Sequence, residues 1–454
     1  MHILHYTLGI PPYRTGGLTK YSIDLMEEEL KLNHNIYLLF PGSYNSLTKA
    51  NIKKRKKYQG INIFELVNPL PVPLLNGVSE AKKFMKPIKE SIFLEFLIAN
   101  KIQLVHVHTL MGLPKEFLTA SKKLKLTIIY TTHDYYGLCP QTLVKPIGKL
   151  SKVCNINCIT CGTNPLSFKM ITVMQSKTYK FLKDTKFIKF LRTRKKIKDT
   201  NISENEIQTI HPYSVEENAN QIKLRNYYLQ MFELVDLFHF NSKVAKIEFK
   251  KFINCEGRVL SITHNSIRDC RKIKKFNVQE PLKILYLGPQ NERKGFNLIY
   301  RTFENLRKDN IDGWHLSCYG ENREPENYDT EFFSFNGRYS YEELSEIFDN
   351  TDLLIVPSIW KETFGFIVLE ALSYGVPILL STNVGSKDLV DNNVTAFMFD
   401  PNPVDLKIKI QELLKNRELI NAANKNILNM KNVFDMTNHT KKILDLYIKA
   451  GCKE

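Results

Sequence analysis

The chain has 454 residues, more than one hydrophobic core usually supports, so we expect two or more domains. Its 64 basic and 47 acidic residues give a formal net charge of +17, which favours anionic partners such as phosphorylated small molecules, nucleic acid or an acidic membrane surface. The sequence has no apolar run long enough to span a bilayer and no signal-peptide pattern at its start, so we expect a cytoplasmic protein.

Short apolar runs alternate with helix-sized stretches through the first half of the chain. The runs occupy residues 3–6, 36–40, 104–108, 127–132, 237–240 and 259–263. A helix-sized segment over residues 18–32 separates the first two runs. Most of the runs are apolar nearly throughout rather than alternating, which indicates strands buried on both faces of a parallel sheet.

The alternation is interrupted over residues 146–232, which we interpret as an insertion in the first domain. Within it, residues 177–198 contain ten basic residues and one acidic residue, about half of the net charge. Aromatic and aliphatic residues are mixed with these lysines and arginines. Two interpretations remain open: adsorption to an anionic membrane surface beside a lipid-linked acceptor, or a solvated basic helix.

Four cysteines lie close together in the sequence, just before and at the start of this insertion: Cys139, Cys154, Cys158 and Cys161. Four thiolates can bind zinc tetrahedrally, so a structural zinc site is one prediction. Free buried thiols are the second interpretation. Disulfides are the third, because a cytoplasmic location argues against them.

The second half of the chain repeats the alternation. Its apolar runs occupy residues 283–287, 315–319, 353–356 and 378–381, with a helix-sized segment over 341–350. Two such halves predict an α/β protein with two doubly wound domains. We place the first domain at 1–268, the second at 269–430, and a C-terminal helix at 431–454 that packs back on the first domain.

The most informative segment follows the run at 353–356 and reads P-S-I-W-K-E-T-F-G-F-I-V-L-E-A-L over residues 357–372. It predicts a loop that enters a helix at the carboxyl end of a parallel strand. Amide N–H groups of Gly365, Phe366 and Ile367, together with the helix dipole, would bind a diphosphate. The carboxylates of Glu362 and Glu370 could accept hydrogen bonds from the hydroxyls of a sugar and a ribose.

The two glutamates, with seven residues between them, resemble the E-x7-E signature of retaining glycosyltransferases of family 4. This resemblance implies the GT-B fold, in which two Rossmann-like domains face a cleft. The stretch Y-L-G-P-Q-N-E-R-K-G over 286–295 is similar to the family's glycine-rich loop with a lysine, which implies that Lys294 and Arg293 contact the donor diphosphate. Pro289 is a departure, because the family often has arginine there.

Other segments resemble the family in the expected order. Gly17 lies in a Gly-Gly pair that resembles the loop after the first strand, which implies that its backbone approaches the donor phosphate or the acceptor. His133, at the end of the run 127–132, resembles a histidine near the reacting sugar, and residues 264–267 resemble a turn that closes the first domain. His106 and His108 share one face of a strand, where packing and metal binding both remain open.

The resemblance implies a retaining, hexosyltransferase-type enzyme that moves a sugar from a nucleotide-diphosphate donor to a hydroxyl on a glycan or lipid-linked acceptor. Glu362 and His133 would be its catalytic residues, and no cofactor would be required for catalysis. Its expected setting is cell-surface polysaccharide or lipid-linked glycan synthesis, at the inner face of the membrane. The alternatives are another GT-B enzyme, such as a sugar-nucleotide epimerase, and a basic nucleic-acid-binding protein. We expect no nucleic-acid partner, since the sequence contains no recognisable nucleic-acid-binding motif.

Overall fold

The computed structural model describes residues 1–452 apart from residues 46, 74–76, 79, 143–145, 155–166, 177–178, 180–181, 183–184, 186–213, 275, 278, 322–323, 326–327 and 433. The chain divides into two compact units. The first contains Met1–His239, Glu248–Arg258 and Thr440–Glu454. The second contains Phe240–Ile247 and Val259–His439.

The first sheet has eight strands in the order β3-β4-β2-β1-β5-β6-β7-β8. The strands are β1 His2–Tyr6, β2 Asn35–Pro41, β3 Asn51–Lys54, β4 Asn62–Val67, β5 Leu104–Val107, β6 Thr127–Thr131, β7 Leu237–Phe240 and β8 Gly257–Val259. From β4 through β7 each neighbouring pair is parallel, whereas β3 runs antiparallel to β4 at the edge.

The second sheet is parallel throughout, with six strands in the order β11-β10-β9-β12-β13-β14. Its strands are β9 Leu282–Leu287, β10 Trp314–Tyr319, β11 Phe333–Phe335, β12 Leu353–Val356, β13 Ile378–Ser381 and β14 Ala396–Phe399. The strand order reverses direction between β9 and β12, and open α/β sheets bind ligands beside the carboxyl ends of strands at such a point.

Helices connect the parallel strands of both sheets. In the described part of the chain the α-helices are α1 Gly17–Lys31, α2 Ser91–Ala99, α3 Lys115–Lys123, α4 Phe168–Met174, α5 Val215–Glu233, α6 Lys243–Lys250, α7 Phe296–Lys308, α8 Leu344–Asp349, α9 Phe366–Ser373, α10 Pro403–Lys415, α11 Glu418–Leu428 and α12 Met436–Lys449. Short 3-10 turns span Ala81–Met85, Ile147–Lys149, Glu292–Lys294 and Gly385–Leu389. None of the described helices combines the length and apolar character that crossing a bilayer requires.

The apolar interiors of these strands and helices fix the positions of the loops that follow them. In α9, Val368, Leu369 and Leu372 are fully buried. Each such side chain contributes roughly 1.5–3 kcal/mol when it leaves water. The start of α9 is therefore held at a fixed place beside the carboxyl ends of β12 and β13.

Nine of the ten predicted strands are confirmed within a residue or two of their predicted ends. The prediction of a strand at 259–263 is wrong, since β8 spans Gly257–Val259. A Cβ on Gly257 would lie 2.1 Å from the carbonyl oxygen of Phe238, so the close approach of the two backbones places the pairing earlier in the chain. Strands β3, β4, β11 and β14 were not predicted. Most of the basic segment 177–198 lies outside the described residues, so its two interpretations stay predictions.

Candidate functional site

The start of α9 lies where the sequence predicted it, and its geometry requires glycine. Gly365 precedes the first helical residue with φ of 104°, a conformation that other residues adopt only with strain. A Cβ there would lie 3.1 Å from Val384 Cγ1 and 3.3 Å from Ser386 Oγ. Within the described residues, the amides of Gly365, Phe366 and Ile367 have no protein acceptor. They are therefore available to an anion.

The loop that carries Glu362 is tied to the segment after β13. The Glu362 amide donates to the carbonyl of Asn383 at 3.0 Å, and the Ser386 amide donates to the carbonyl of Phe364 at 2.9 Å. Gly385 permits this approach, since a Cβ on it would lie 2.3 Å from the carbonyl oxygen of Thr363. Backbone bonds on both sides thus fix the position of the Glu362 side chain.

Lys294 and Glu362 form an ion pair with 2.9 Å between Nζ and Oε1. The Glu362 side chain is 13% exposed and that of Lys294 is 43% exposed, so the pair faces solvent from the lysine side. The other carboxylate oxygen points toward the helix start, where it would lie 3.4 Å from a Cβ on Gly365. A cation, a carboxylate and unbonded amides therefore lie side by side.

The loop before α7 is built to place Lys294. Gly295 has φ of 77°, and a Cβ there would lie 1.9 Å from the carbonyl oxygen of Pro357. The carbonyl of Arg293 accepts from the amides of Ile359 and Trp360, both at 3.1 Å. The Arg293 guanidinium lies 4.6 Å from the Trp360 ring centroid, a cation–π contact. Burial lowers the pKa of Arg293.

Glu370 lies one turn into α9 and contacts a histidine from the predicted turn at 264–267. His264 Nε2 lies 3.7 Å from Glu370 Oε1, and the His264 ring packs 5.0 Å from that of Phe366. Burial and the Glu370 charge raise the pKa of Tyr339 to about 12. The turn at 264–267 thus positions Glu370. The sequence of the turn did not indicate this role.

Pro289, the departure from the family pattern, lies in the turn after β9. The Tyr286 hydroxyl donates to the carbonyl of Pro289 at 2.7 Å. Gly288 comes so close to Gly320 that a Cβ on Gly320 would lie 2.2 Å from the Gly288 carbonyl oxygen. The turn is therefore well ordered without arginine, and Lys294 and Arg293 are the cations that this loop offers.

His133 lies in the first unit and ends a chain of hydrogen-bonded histidines. His133 Nε2 lies 3.2 Å from His108 Nδ1, and His108 Nε2 lies 3.1 Å from His5 Nδ1. His5 Nε2 lies 2.7 Å from Glu29 Oε2. A carboxylate only accepts hydrogen bonds, so His5 donates from Nε2. Where His5 is neutral, His108 donates to His5, and His133 donates to His108 from its Nε2.

A second branch leaves the same carboxylate. The Tyr447 hydroxyl donates to Glu29 Oε1 at 2.9 Å and accepts from His106 Nδ1 at 2.7 Å. His106 Nε2 lies 2.7 Å from the Thr131 hydroxyl, within hydrogen-bond distance. Nitrogens of His5, His106 and His108 lie within 4.8 Å of one another, a spacing that suits a metal ion. The hydrogen bonds account for these nitrogens without one.

Burial keeps His108 and His133 neutral. It lowers the pKa of His108 well below the usual value and that of His133 to about 3, and neighbouring histidines lower both further. Burial raises the pKa of the adjacent Asp134 to about 6, against two hydrogen bonds that lower it. Neutral imidazoles can donate and accept hydrogen bonds at once, which suits orientation of a bound polar group.

Gly17 is the first residue of α1, after Gly16 with φ of 110°. One turn later Tyr21 packs 5.1 Å from the His133 ring centroid. The structure thus brings the start of α1 and His133 together in the first unit. Their predicted contacts with donor and sugar stay predictions.

The cysteine cluster lies partly outside the described residues. Cys139 is buried and Cys154 is partly buried. Cys158 and Cys161 are not among the described residues. The zinc prediction therefore stays a prediction.

In the second unit the structure brings together Lys294, Glu362 and the start of α9, as the motif predicted. It adds two polar atoms that the sequence did not single out. Ser386 Oγ beside Gly365 is buried and has no hydrogen-bond partner among the described residues, and the same holds for His264 Nδ1. The local sequence around Ser386, a Gly-Ser pair at 385–386 in the loop after β13, gave little signal for it.

Residues 269–430 match the family model described as glycosyl transferases group 1. A UDP-Gal:alpha-D-GlcNAc-diphosphoundecaprenol alpha-1,3-galactosyltransferase of Escherichia coli is 31% identical over 107 residues, which cover 23% of this chain and 27% of that enzyme. A glycogen synthase of Thermodesulfovibrio yellowstonii is 30% identical over 186 residues, which cover 38% of this chain and 35% of that enzyme. The matches thus span about a third or less of these relatives.

Similarity in structure extends over nearly the whole chain. Alr3699/HepE of Anabaena, solved in complex with UDP, superposes with a TM-score of 0.58 at 11% identity, covering 99% of this chain and 100% of that one. A sucrose-phosphate synthase from Thermosynechococcus elongatus superposes with a TM-score of 0.56 at 13% identity, covering 98% of both chains. The chain has the GT-B fold, as the resemblance implied.

Proposed function

We propose that this protein is a retaining glycosyltransferase of family 4, which moves a hexose-type sugar from a nucleotide-diphosphate donor to a hydroxyl acceptor. One observation carries the proposal. The Lys294–Glu362 ion pair lies beside the start of α9, within the residues that match the group 1 family model. A nucleotide sugar carries a negatively charged diphosphate next to a sugar with hydroxyl groups. Its binding site therefore needs a cation for the phosphates and, beside it, a carboxylate for the hydroxyls.

In this proposal Lys294 and the amides of residues 365–367 bind the donor diphosphate. Their charges stabilise the negative charge that develops on the leaving diphosphate, which is usually the largest catalytic effect. Glu370 accepts hydrogen bonds from the ribose, and Glu362 accepts them from the sugar. His133 orients the sugar.

We further propose that the acceptor is a glycan or a lipid-linked glycan, in cell-surface polysaccharide or lipid-linked glycan synthesis. The match to a galactosyltransferase named for a diphosphoundecaprenol acceptor supports this setting. The excess of basic residues supports a phosphorylated acceptor or an anionic membrane surface.

Isothermal titration calorimetry with the variants Lys294→Ala and Glu370→Ala tests the donor site. Loss of a hydrogen bond to a charged group costs about 1.5–3 kcal/mol, so each variant should bind the preferred nucleotide sugar roughly 10- to 150-fold more weakly. Lys283→Ala is the matched control, because Lys283 also pairs with a glutamate, at 3.0 Å, and is similarly exposed at 49%. Wild-type affinity in both site variants would refute the proposed site.

A further inference from the structure

A cavity of about 770 Å³ lies beside the carboxyl ends of β2 and β4 in the first unit. Tyr44 and Asn45 follow β2, and Asn68 and Leu70 follow β4. The volume falls within the range of small-molecule sites, and this edge is where open α/β sheets bind ligands. None of the site residues described above lines the cavity.

One part of the cavity wall is apolar. Leu70, Ile88, Ile92 and Phe168 contribute to it, together with several prolines. The Phe168 ring packs edge-to-face on Tyr44, with 6.1 Å between centroids. A wall of this composition favours a hydrocarbon, because water in contact with it is released on binding.

Lysines supply the charged part of the lining. Lys49, Lys83, Lys86 and Lys89 all line the cavity, and none of the described residues that line it is an aspartate or a glutamate. Within the described part of the chain none of the four forms an ion pair. The nearby Glu90 pairs instead with Lys123, at 2.5 Å. The cavity therefore has a strong excess of positive charge, which suits a phosphate.

Tyr44 adds a polar group to the wall. Its hydroxyl is buried and has no hydrogen-bond partner among the described residues, and burial raises its pKa. The hydroxyl therefore keeps its proton and can donate it. An unpaired buried hydroxyl is costly.

We propose that this cavity binds the phosphate and the first part of the hydrocarbon chain of a lipid phosphate, the acceptor's carrier. The phosphate lies among the four lysines, and the chain lies on the apolar wall. A sugar phosphate would leave that wall in contact with water, and an uncharged lipid would leave the lysines without a counter-ion. As an acceptor site, this assignment rests on the proposed function.

Calorimetric titration of the full-length protein with farnesyl phosphate, below its micellar concentration, tests the assignment. We expect farnesol and inorganic phosphate to bind at least tenfold more weakly than farnesyl phosphate, since each supplies only half of the interaction. Lys86→Gln combined with Lys89→Gln should weaken farnesyl phosphate binding at least tenfold. Lys53→Gln combined with Lys54→Gln, on β3 of the same unit, makes the same charge change outside the cavity and should have little effect.

Farnesyl phosphate binding no tighter than farnesol or phosphate would overturn the assignment, as would an equal loss in both double variants. Titration of the same preparation with nucleotide sugars separates the two proposals. A protein that binds a nucleotide sugar and not farnesyl phosphate refutes only the lipid-phosphate site. A protein that binds farnesyl phosphate and no nucleotide sugar supports the lipid-phosphate site and refutes the proposed function.

Discussion

Glu29, a fully buried carboxylate, accepts a hydrogen bond from His5. This bond begins a hydrogen-bonded chain that runs from His5 through His108 to His133. The same carboxylate also holds Tyr447.

The neutral state of His133 has a consequence for stability. Burial lowers its pKa from 6.5 to about 3, so between these values the unfolded chain binds a proton that the folded protein does not. The stability that the buried neutral His133 contributes is fully present above pH 6.5 and is lost as the pH falls toward 3. Between pH 6 and pH 5, the free energy of unfolding should fall more steeply in the wild type than in His133→Gln, by up to about 1.4 kcal/mol per pH unit.

Urea titration at several pH values measures this difference. The raised pKa of Asp134 contributes a slope of opposite sign, but it does so in both proteins and largely cancels from the comparison. Thr132→Ser, beside His133, is the control because it changes no titratable group. Parallel pH curves for the wild type and His133→Gln would contradict the assignment of a depressed pKa.

Single residues of the donor site could be predicted where a local motif contains them. Glu362, Gly365 and Glu370 fall in one stretch of sequence, and the structure places them around one helix start. His264 could not be predicted as a neighbour of Glu370, because 106 positions separate the two and only the fold brings them within 3.7 Å. Glu29 carried no signal, since it is the last of three consecutive glutamates in α1 and a glutamate in a helix normally faces solvent.

At the scale of elements, the junction between the loop 292–295 and the loop 358–360 determines where Lys294 lies. Gly295 is the point of closest approach, at φ of 77° and against the carbonyl of Pro357. Gly313 has the same φ of 77°, but a Cβ on it would meet only the flexible end of Arg417, at 3.3 Å. The two glycines thus differ in steric surroundings and share their backbone strain.

Alanine at each glycine separates these two effects. Gly295→Ala should lower the free energy of unfolding by about 1–3 kcal/mol more than Gly313→Ala, because only the first forces two backbones apart. Gly295→Ala should also weaken donor binding, since Lys294 is the adjacent residue. Urea unfolding and calorimetry measure both. Equal destabilisation by the two variants would show that the close approach at Pro357 is unimportant.

The composition of β3 and β4 explains why the sequence did not predict them as strands. β4 contains Glu65, a buried acid that interrupts the apolar run and is held by an ion pair with Arg55 and by the Ser43 amide. β3 reads N-I-K-K and has almost no apolar residues, since it is an antiparallel edge strand. Strands of the sheet centre could be predicted because they are buried on both faces and are apolar throughout.

At the scale of the whole molecule, the two parallel sheets and the GT-B fold agree with what the sequence predicted. The last residues of the chain, Thr440–Glu454, belong to the first unit. Tyr447 there donates to Glu29, 418 positions away. No local pattern encodes such a pairing, because it depends on the complete path of the chain between the two residues.

The central claim is that the protein binds a nucleotide sugar. Its most direct test is the melting temperature of the wild-type protein with a panel of nucleotide sugars, each compared with its nucleoside monophosphate and its free sugar. At 100 times the dissociation constant, a ligand stabilises the folded protein by about 2.7 kcal/mol. We predict that at least one nucleotide sugar raises the melting temperature by several degrees, while its monophosphate and its sugar have clearly smaller effects. A panel in which no nucleotide sugar raises the melting temperature would contradict the account.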